Sequence, residues 1–539
     1  METRCRIAQQ AAFQPLLSAL LLPAVLGVPV TIELVPSVKD VPPQDLTRLQ
    51  KCLSSCAVNT NNLVTAFDTN LTGFVVDPLL PSSKVTKGSF TRLRYWTVDG
   101  AIYAQPLYVP DVVVNGSIMN LVFVATEHSS VYALNSGDSP IHPTDFDPPC
   151  YDIAPEWGIT STPYIDPKSQ TIYVVPWTKE DGKFVYRIHA LDLATGKEKL
   201  GGPSSPISAT KTFADGSFVR FDAKQQVQRP GLGIFNGRLY VMFGSRCDAS
   251  VYYGWVLAFD ANTLLPREVF SMPYTDPGNG PGIWQGGAGP VFFNGSMYVV
   301  IGNGAFDAAR GSWGDSAVRM TLPDLKVVDH FTPSNEEILD DDDLDFGSAA
   351  LIPVNGKYMF TGGKEGSYYL LKAYAMGSFN RNNKDGNAFQ AIPSATSTGN
   401  ASVSIGTGGI YSGAAYWPAG NALYLHGVRT VPLQKYEFMD DDKLRLVASS
   451  AIAGNFSKRA SVPIVSAVSQ NATEAIVWEV DANDTLYAWN ATSLAPLWNS
   501  SAPADLADCK GWVKFATPSV AGGKVFVGCG SKLVAYGPK

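Results

Sequence analysis

The sequence has no long stretch in which apolar residues recur at helical spacing, so strands and turns are left to dominate. It has no excess of basic charge: 41 Lys and Arg stand against 48 Asp and Glu, for a net charge of −7. Nucleic acid and anionic lipid both select basic surfaces, so neither is expected as a partner. Only five histidines occur, His128, His142, His189, His330 and His426, and they are scattered without metal-ligand spacing. The cysteines show no zinc or haem-attachment spacing, and no two of them are adjacent. "GGP" at Gly201 to Pro203 and "GNG" at Gly302 to Gly304 lack the strand, spacing and helix of nucleotide-binding loops, and read as turns. Beyond residue 27 no apolar run is long enough to cross a bilayer.

The first 27 residues read differently. Arg4 and Arg6 precede the apolar run "LLSALLLPAVLG", Leu16 to Gly27, which ends among small residues. This is the pattern of a secretory signal, and the run is shorter than the roughly 20 residues that a membrane anchor requires. Nine N-x-S/T sequons follow, at Asn70, Asn115, Asn294, Asn400, Asn455, Asn471, Asn483, Asn490 and Asn499. A secreted, glycosylated protein is the expectation. With Cys5 in the signal, Cys52, Cys56, Cys150, Cys247, Cys509 and Cys529 remain, an even number suited to disulfides in an oxidising compartment. Spacing does not fix their pairing; Cys509 with Cys529, both in the last repeat, is the favoured pair.

Glycine (49), tyrosine (23) and proline (37) are plentiful, and one pattern recurs. "VFVATEHSSVYAL" from Val122 reads as two alternating strands joined at a short polar turn. Similar stretches begin at Ile172, Leu239, Met297, Tyr358, Leu423, Val477 and Val525, which makes eight copies, 48 to 67 residues apart. Each is usually preceded by a short strand ending in a small residue and proline, as in "YAQPLYV", "TSTPYID", "GAGPVFF" and "FATPSVA". An all-β fold follows: an eight-bladed β-propeller of four-stranded blades over residues 90–539, because stacked repeats share one core and a closed ring leaves few sheet edges exposed. The last copy has no room for an outer strand, and "RLRYWTV" at Arg92 to Val98 has no blade of its own, so this early strand is expected to close the ring. Residues 28–89 form an N-terminal extension in which "PPQDLTRLQKCLSSC" from Pro42 is expected to make a short helical cap.

With eight repeats and phrases such as "RIHALDLATGKEK" at Arg187 to Lys199, the chain resembles the pyrroloquinoline quinone (PQQ) repeat propellers, the quinoprotein alcohol dehydrogenase superfamily, over roughly residues 90 to 537. "DGAIYAQPLYV", "LVFVATEHSSVYAL", "HFTPSNEEILDDDDLDFGS" and "GGKEGSYYLL" are similar to a subgroup of secreted PQQ-like propellers. The resemblance implies PQQ and calcium as cofactors and an alcohol or sugar as substrate. It maps the catalytic base onto Asp315, the calcium ligands onto Asn303 and Asp248, and a cation facing the quinone oxygens onto Lys364. The stacking tryptophan of the family would fall at Val291 in "GGAGPVFF", with Trp284 or Phe292 as substitutes. The chain departs from the family in lacking the adjacent cysteine pair that covers the other quinone face, and in having Asp for Glu at 248.

The residues also admit plainer readings. Asn303 with Gly304, and Gly314 with Asp315, are ordinary turn pairs. Lys364 with Glu365, and Glu127 with His128, stand at hairpin tips where solvated charges are normal. The acidic runs Asp340 to Asp343 and Asp440 to Asp442 read as solvated turns. Phe306 and Trp313 read as loop packing, with sugar stacking as the alternative, and Trp498 in "LAPLW" as a blade-docking residue. Against the oxidoreductase stands a non-catalytic propeller that offers its loop-rich face to a glycan or protein partner.

Overall fold

Val, Ile, Tyr and Phe alternating with smaller or polar residues, cut by Gly, Asn and Asp turns, favour short antiparallel strands. A computed structural model describes residues 71–131, 141–249, 251–273, 281–383, 387–393, 409–411, 413–427, 431–451, 462–503, 505, 513–515 and 517–539. The signal, the helical cap, Cys52, Cys56, Cys509, Asn70, Asn400 and Asn455 lie outside the described residues. Among the described residues the one α-helix is the six-residue Glu336–Asp341.

Seven sheets of three to five strands follow one another along the chain as propeller blades. The fourth copy shows the plan: Val291–Phe293, Ser296–Ile301, Ser316–Thr321 and Val327–Thr332, each antiparallel to the one before. The first copy is described only in part. Leu107–Val114 and Ser117–Phe123 form a two-stranded ribbon, extended by the single bridge between Ala125 and Val131, and residues 132–140, which would continue it, lie outside the described ones. The second copy has three strands, Tyr164–Asp166, Thr171–Val174 and His189–Asp192, with a separate hairpin, Trp177–Glu180 with Lys183–Tyr186, inserted between the last two.

Two N-terminal segments join sheets made by the far end of the chain. Phe90–Thr97 runs antiparallel along the outer edge of Lys532–Pro538, Arg92 opposite Tyr536 and Trp96 opposite Leu533. Phe74–Val76 lies parallel to Ile464–Ala467, so the sheets take in residues ahead of position 90.

Apolar side chains pack between consecutive sheets. One cluster joins the second and third copies through Tyr173, Leu239, Val241 and Leu257. Another joins the third and fourth through Tyr240, Met242, Met297 and Val299. The last sheet meets the first ribbon through Phe526, Leu533, Ile102 and Tyr108. Trp498 docks as expected, buried against Phe90 at 4.9 Å and Tyr536 at 5.6 Å between ring centroids.

A polar device that the repeat pattern did not advertise recurs among these apolar contacts. The tyrosine of a second strand donates its hydroxyl to the alanine carbonyl just past the third strand of the next sheet: Tyr173 to Ala261 at 2.9 Å, Tyr298 to Ala373 at 2.8 Å and Tyr424 to Ala491 at 2.7 Å. All three tyrosines are buried, so each bond satisfies a hydroxyl and a carbonyl that water cannot reach. Disulfide Cys150–Cys247 adds a covalent tie between the loop that leads into the second sheet and the loop after the second strand of the third.

Replacing Tyr298 by Phe keeps the ring and strands the Ala373 carbonyl. The expected outcome is a loss of about 1–3 kcal/mol in urea unfolding with an unchanged far-ultraviolet circular dichroism spectrum.

Candidate functional site

Loops from the third, fourth and fifth sheets meet at one end of the blades. Ser245 to Asp248, Asn303 and Lys364 follow the second strands Arg238–Ser245, Ser296–Ile301 and Tyr358–Gly362. Trp284 and Asp345 stand in the segments that lead into the innermost strands Val291–Phe293 and Ile352–Val354.

Asp345 is the hub. One of its carboxylate oxygens accepts from the Asn303 backbone N–H at 2.8 Å, and the other faces the Lys364 ammonium at 2.7 Å. Asp343 Oδ1 accepts from Lys364 Nζ at 2.6 Å and from Asn303 Nδ2 at 3.1 Å. The Lys364 side chain is only 14% exposed, not a solvated hairpin tip. Burial works against its charge, but Asp345 and then Asp343 more than offset this and hold its pKa above the usual lysine value. Asp343, at the end of the run expected to be a solvated turn, is 62% exposed yet forms half of this clamp.

Asp315 reaches the hub indirectly. It sits at φ 45° with a fully buried carboxylate, one oxygen accepting from the Phe346 N–H at 2.8 Å and the other without a hydrogen-bond partner among the described residues. Burial, then the neighbouring Asp345, pushes its pKa well above the carboxylate range. Asp248 bonds Ser245 Oγ at 2.8 Å; burial raises its pKa, with Asp345 and Asp343 adding to the rise and Lys364 opposing it. Trp284 lies against backbone: a Cβ on Gly244 would stand 2.7 Å from its ring, and one on Gly302 would meet Trp284 at 3.0 Å and the Asp345 carboxylate at 2.6 Å. Glycine at these two positions is what lets the indole and the hub approach.

The structure thus gathers Asn303, Lys364 and Asp248 around Asp343 and Asp345, with Trp284 alongside and Asp315 sealed behind. An ammonium occupies the space between the two carboxylates where a divalent cation would be held, and among the described residues no three His, Cys, Asp or Glu side chains are arranged to hold a metal. Asn303 Oδ1, like Asp315 Oδ2, is buried with no hydrogen-bond partner among the described residues. Asp315, expected as the base, is fully buried. Val291 and Phe292 are core residues, the latter stacked on Phe235 at 5.1 Å, so neither offers a free face to a quinone.

Other expectations resolve simply. Phe306 and Trp313 form a hairpin packed on His330 and Phe379, which is loop packing. Glu127 is fully buried rather than solvated, accepts from the Gly158 N–H and the Thr160 hydroxyl, and is pushed up to about 8, chiefly by burial. Sequence reasoning missed Asp343 and Asp345; both lie in "LDDDDLDFGS", whose acidic run hid two residues with distinct roles.

On the axis, residues just ahead of the innermost strands, including Gln105, Thr162, Arg229, Gly287, Ala350 and Thr517, enclose a cavity of about 30 Å³. That is room for about two waters, not for a tricyclic quinone.

The Asp315 carboxyl makes stability depend on pH. As pH rises the unfolded chain ionises at the ordinary carboxylate value while native Asp315 keeps its proton, so the stability present at low pH is lost as pH rises through the raised native value. Asp315→Asn keeps an acceptor for Phe346 and removes the titration. Urea unfolding from about pH 5 to about pH 8 is expected to show the variant gaining on the wild type by at most about 1.4 kcal/mol per pH unit.

No protein-family model and no curated protein sequence matches the chain. Solved structures do. The quinohemoprotein alcohol dehydrogenase ADHIIG of Pseudomonas putida HK5 superposes with a TM-score of 0.58 at 13% identity, covering 90% of this chain and 81% of that one. The quinohemoprotein alcohol dehydrogenase of Comamonas testosteroni gives 0.54 at 13% identity over 90% and 82%. A europium-containing methanol dehydrogenase gives 0.54 at 14% identity over 89% and 91%. The chain shares the β-propeller fold of these structures.

Proposed function

We propose that this chain is a secreted, glycosylated propeller that binds a small molecule where its loops gather around the axis, and that it does so without metal–quinone chemistry. The observation that carries this reading is the Lys364 ammonium clamped between Asp343 and Asp345. A resident cation there neutralises the carboxylates that a divalent metal would need, and a metal would have to displace a buried, doubly paired ammonium. Secretion is supported by the signal pattern. Glycosylation is supported by the sequons, of which Asn115, Asn294, Asn471 and Asn483 are exposed.

A second reading, oxidation of an alcohol or sugar with PQQ and calcium, draws support from the shared fold and from the gathering of Asn303, Asp248 and Lys364 beside Trp284. It would need Asp315 as base, and that carboxyl is fully buried.

Titration of PQQ into the purified protein, with and without calcium, separates the two. The expected result is no saturable, calcium-dependent binding by the wild type. Lys364→Ala, which frees Asp343 and Asp345, is expected to gain calcium affinity, read as terbium luminescence competed by calcium. Calcium-dependent PQQ binding by the wild type, weakened by Asn303→Ala, would establish the oxidoreductase reading instead. Glycans on the secreted protein are expected at Asn115, Asn294, Asn471 and Asn483, read by peptide mass spectrometry after enzymatic deglycosylation.

A further inference from the structure

We propose that the axial cavity is a receptor for the carboxylate of a small organic acid, with Arg229 as its anchoring side chain. The inference rests on the binding reading above and names its ligand class.

Arg229 lines the cavity with its side chain 11% exposed and its guanidinium over the Phe515 ring at 4.8 Å. Stacking of this kind holds the planar group in place and leaves its edge to make hydrogen bonds. That edge is underused. The carboxylate paired with it, Asp152, stands 3.6 Å away, beyond good hydrogen-bond length, and Asp152 is already engaged by Lys514 Nζ. Arg229 Nη2 is buried with no hydrogen-bond partner among the described residues. A buried guanidinium donor left unmade is costly, and a bidentate carboxylate is the ligand whose geometry relieves it.

The surroundings favour an anion. Lys514, 4% exposed, adds a second positive charge to the lining. The carboxyl that could compensate from the first ribbon, Glu127, is held near neutral by burial and directs an oxygen to Gly158 and Thr160. Thr160 and Thr162 supply hydroxyls to the same wall, and Gly287 and Ala288 leave the opposite side open. A cavity of about 30 Å³ limits the ligand to a carboxylate head with little more than a methyl group. The planar fork and the limited space select this over a tetrahedral oxyanion.

The test uses the full secreted protein and acetate as probe, with inorganic phosphate and chloride as competitors, followed by isothermal titration calorimetry and saturation-transfer nuclear magnetic resonance. Saturable acetate binding is expected, weakened at least tenfold by Arg229→Gln and partly retained in Arg229→Lys. The lysine variant keeps the charge and guards against a folding defect in the glutamine one. No acetate binding by the wild type, equal binding by Arg229→Gln, or tighter binding of phosphate or chloride would each overturn the proposal. These outcomes are independent of PQQ binding, so loss of this proposal and loss of the reading beneath it are separately visible.

Discussion

A tyrosine hydroxyl that crosses from one sheet to an alanine carbonyl of the next is the contact on which the rest of this propeller depends. Apolar packing between sheets is non-directional and would tolerate sliding. A hydrogen bond is directional, and in Tyr173, Tyr298 and Tyr424 it fixes where the second strand of one sheet stands against the third strand of its neighbour. Residues past those second strands, Asn303 among them, inherit their positions from that registration. The functional loops are therefore held by the sheet-to-sheet geometry beneath them more than by contacts of their own.

At the loop end, an ammonium compensates two carboxylates. Asp343 and Asp345 face each other across a partly buried space, and Lys364 stands between them. Burial chiefly raises the pKa values of the nearby Asp248 and Asp315, and the charge of Asp345 adds to the rise in both.

Much of the architecture was legible because strand periodicity and turn residues repeat. The hairpins of the copies and the packing of Phe306 with Trp313 follow from side-chain pattern, and the docking of Trp498 from the resemblance to PQQ-type repeats. The separate hairpin inside the second copy was less legible, since "IYVVPWTKEDGKFVYRIHALD" alternates like the other copies. The site was half legible. Asn303 and Lys364 were found by their resemblance to a family motif, but their shared partner Asp345 lies two residues past an acidic run and is recruited only by tertiary approach through Gly302. Arg229 carries no sequence signal at all, because its role depends on Phe515, 286 residues away in the chain.

The pairing of Phe90–Thr97 with Lys532–Pro538 reaches beyond architecture. Arg92 and Tyr536, opposite each other in it, stand 444 residues apart in the sequence. A contact of such range costs loop-closure entropy before it returns any stability, so this sheet is expected to form late, with its strand edge open until it does.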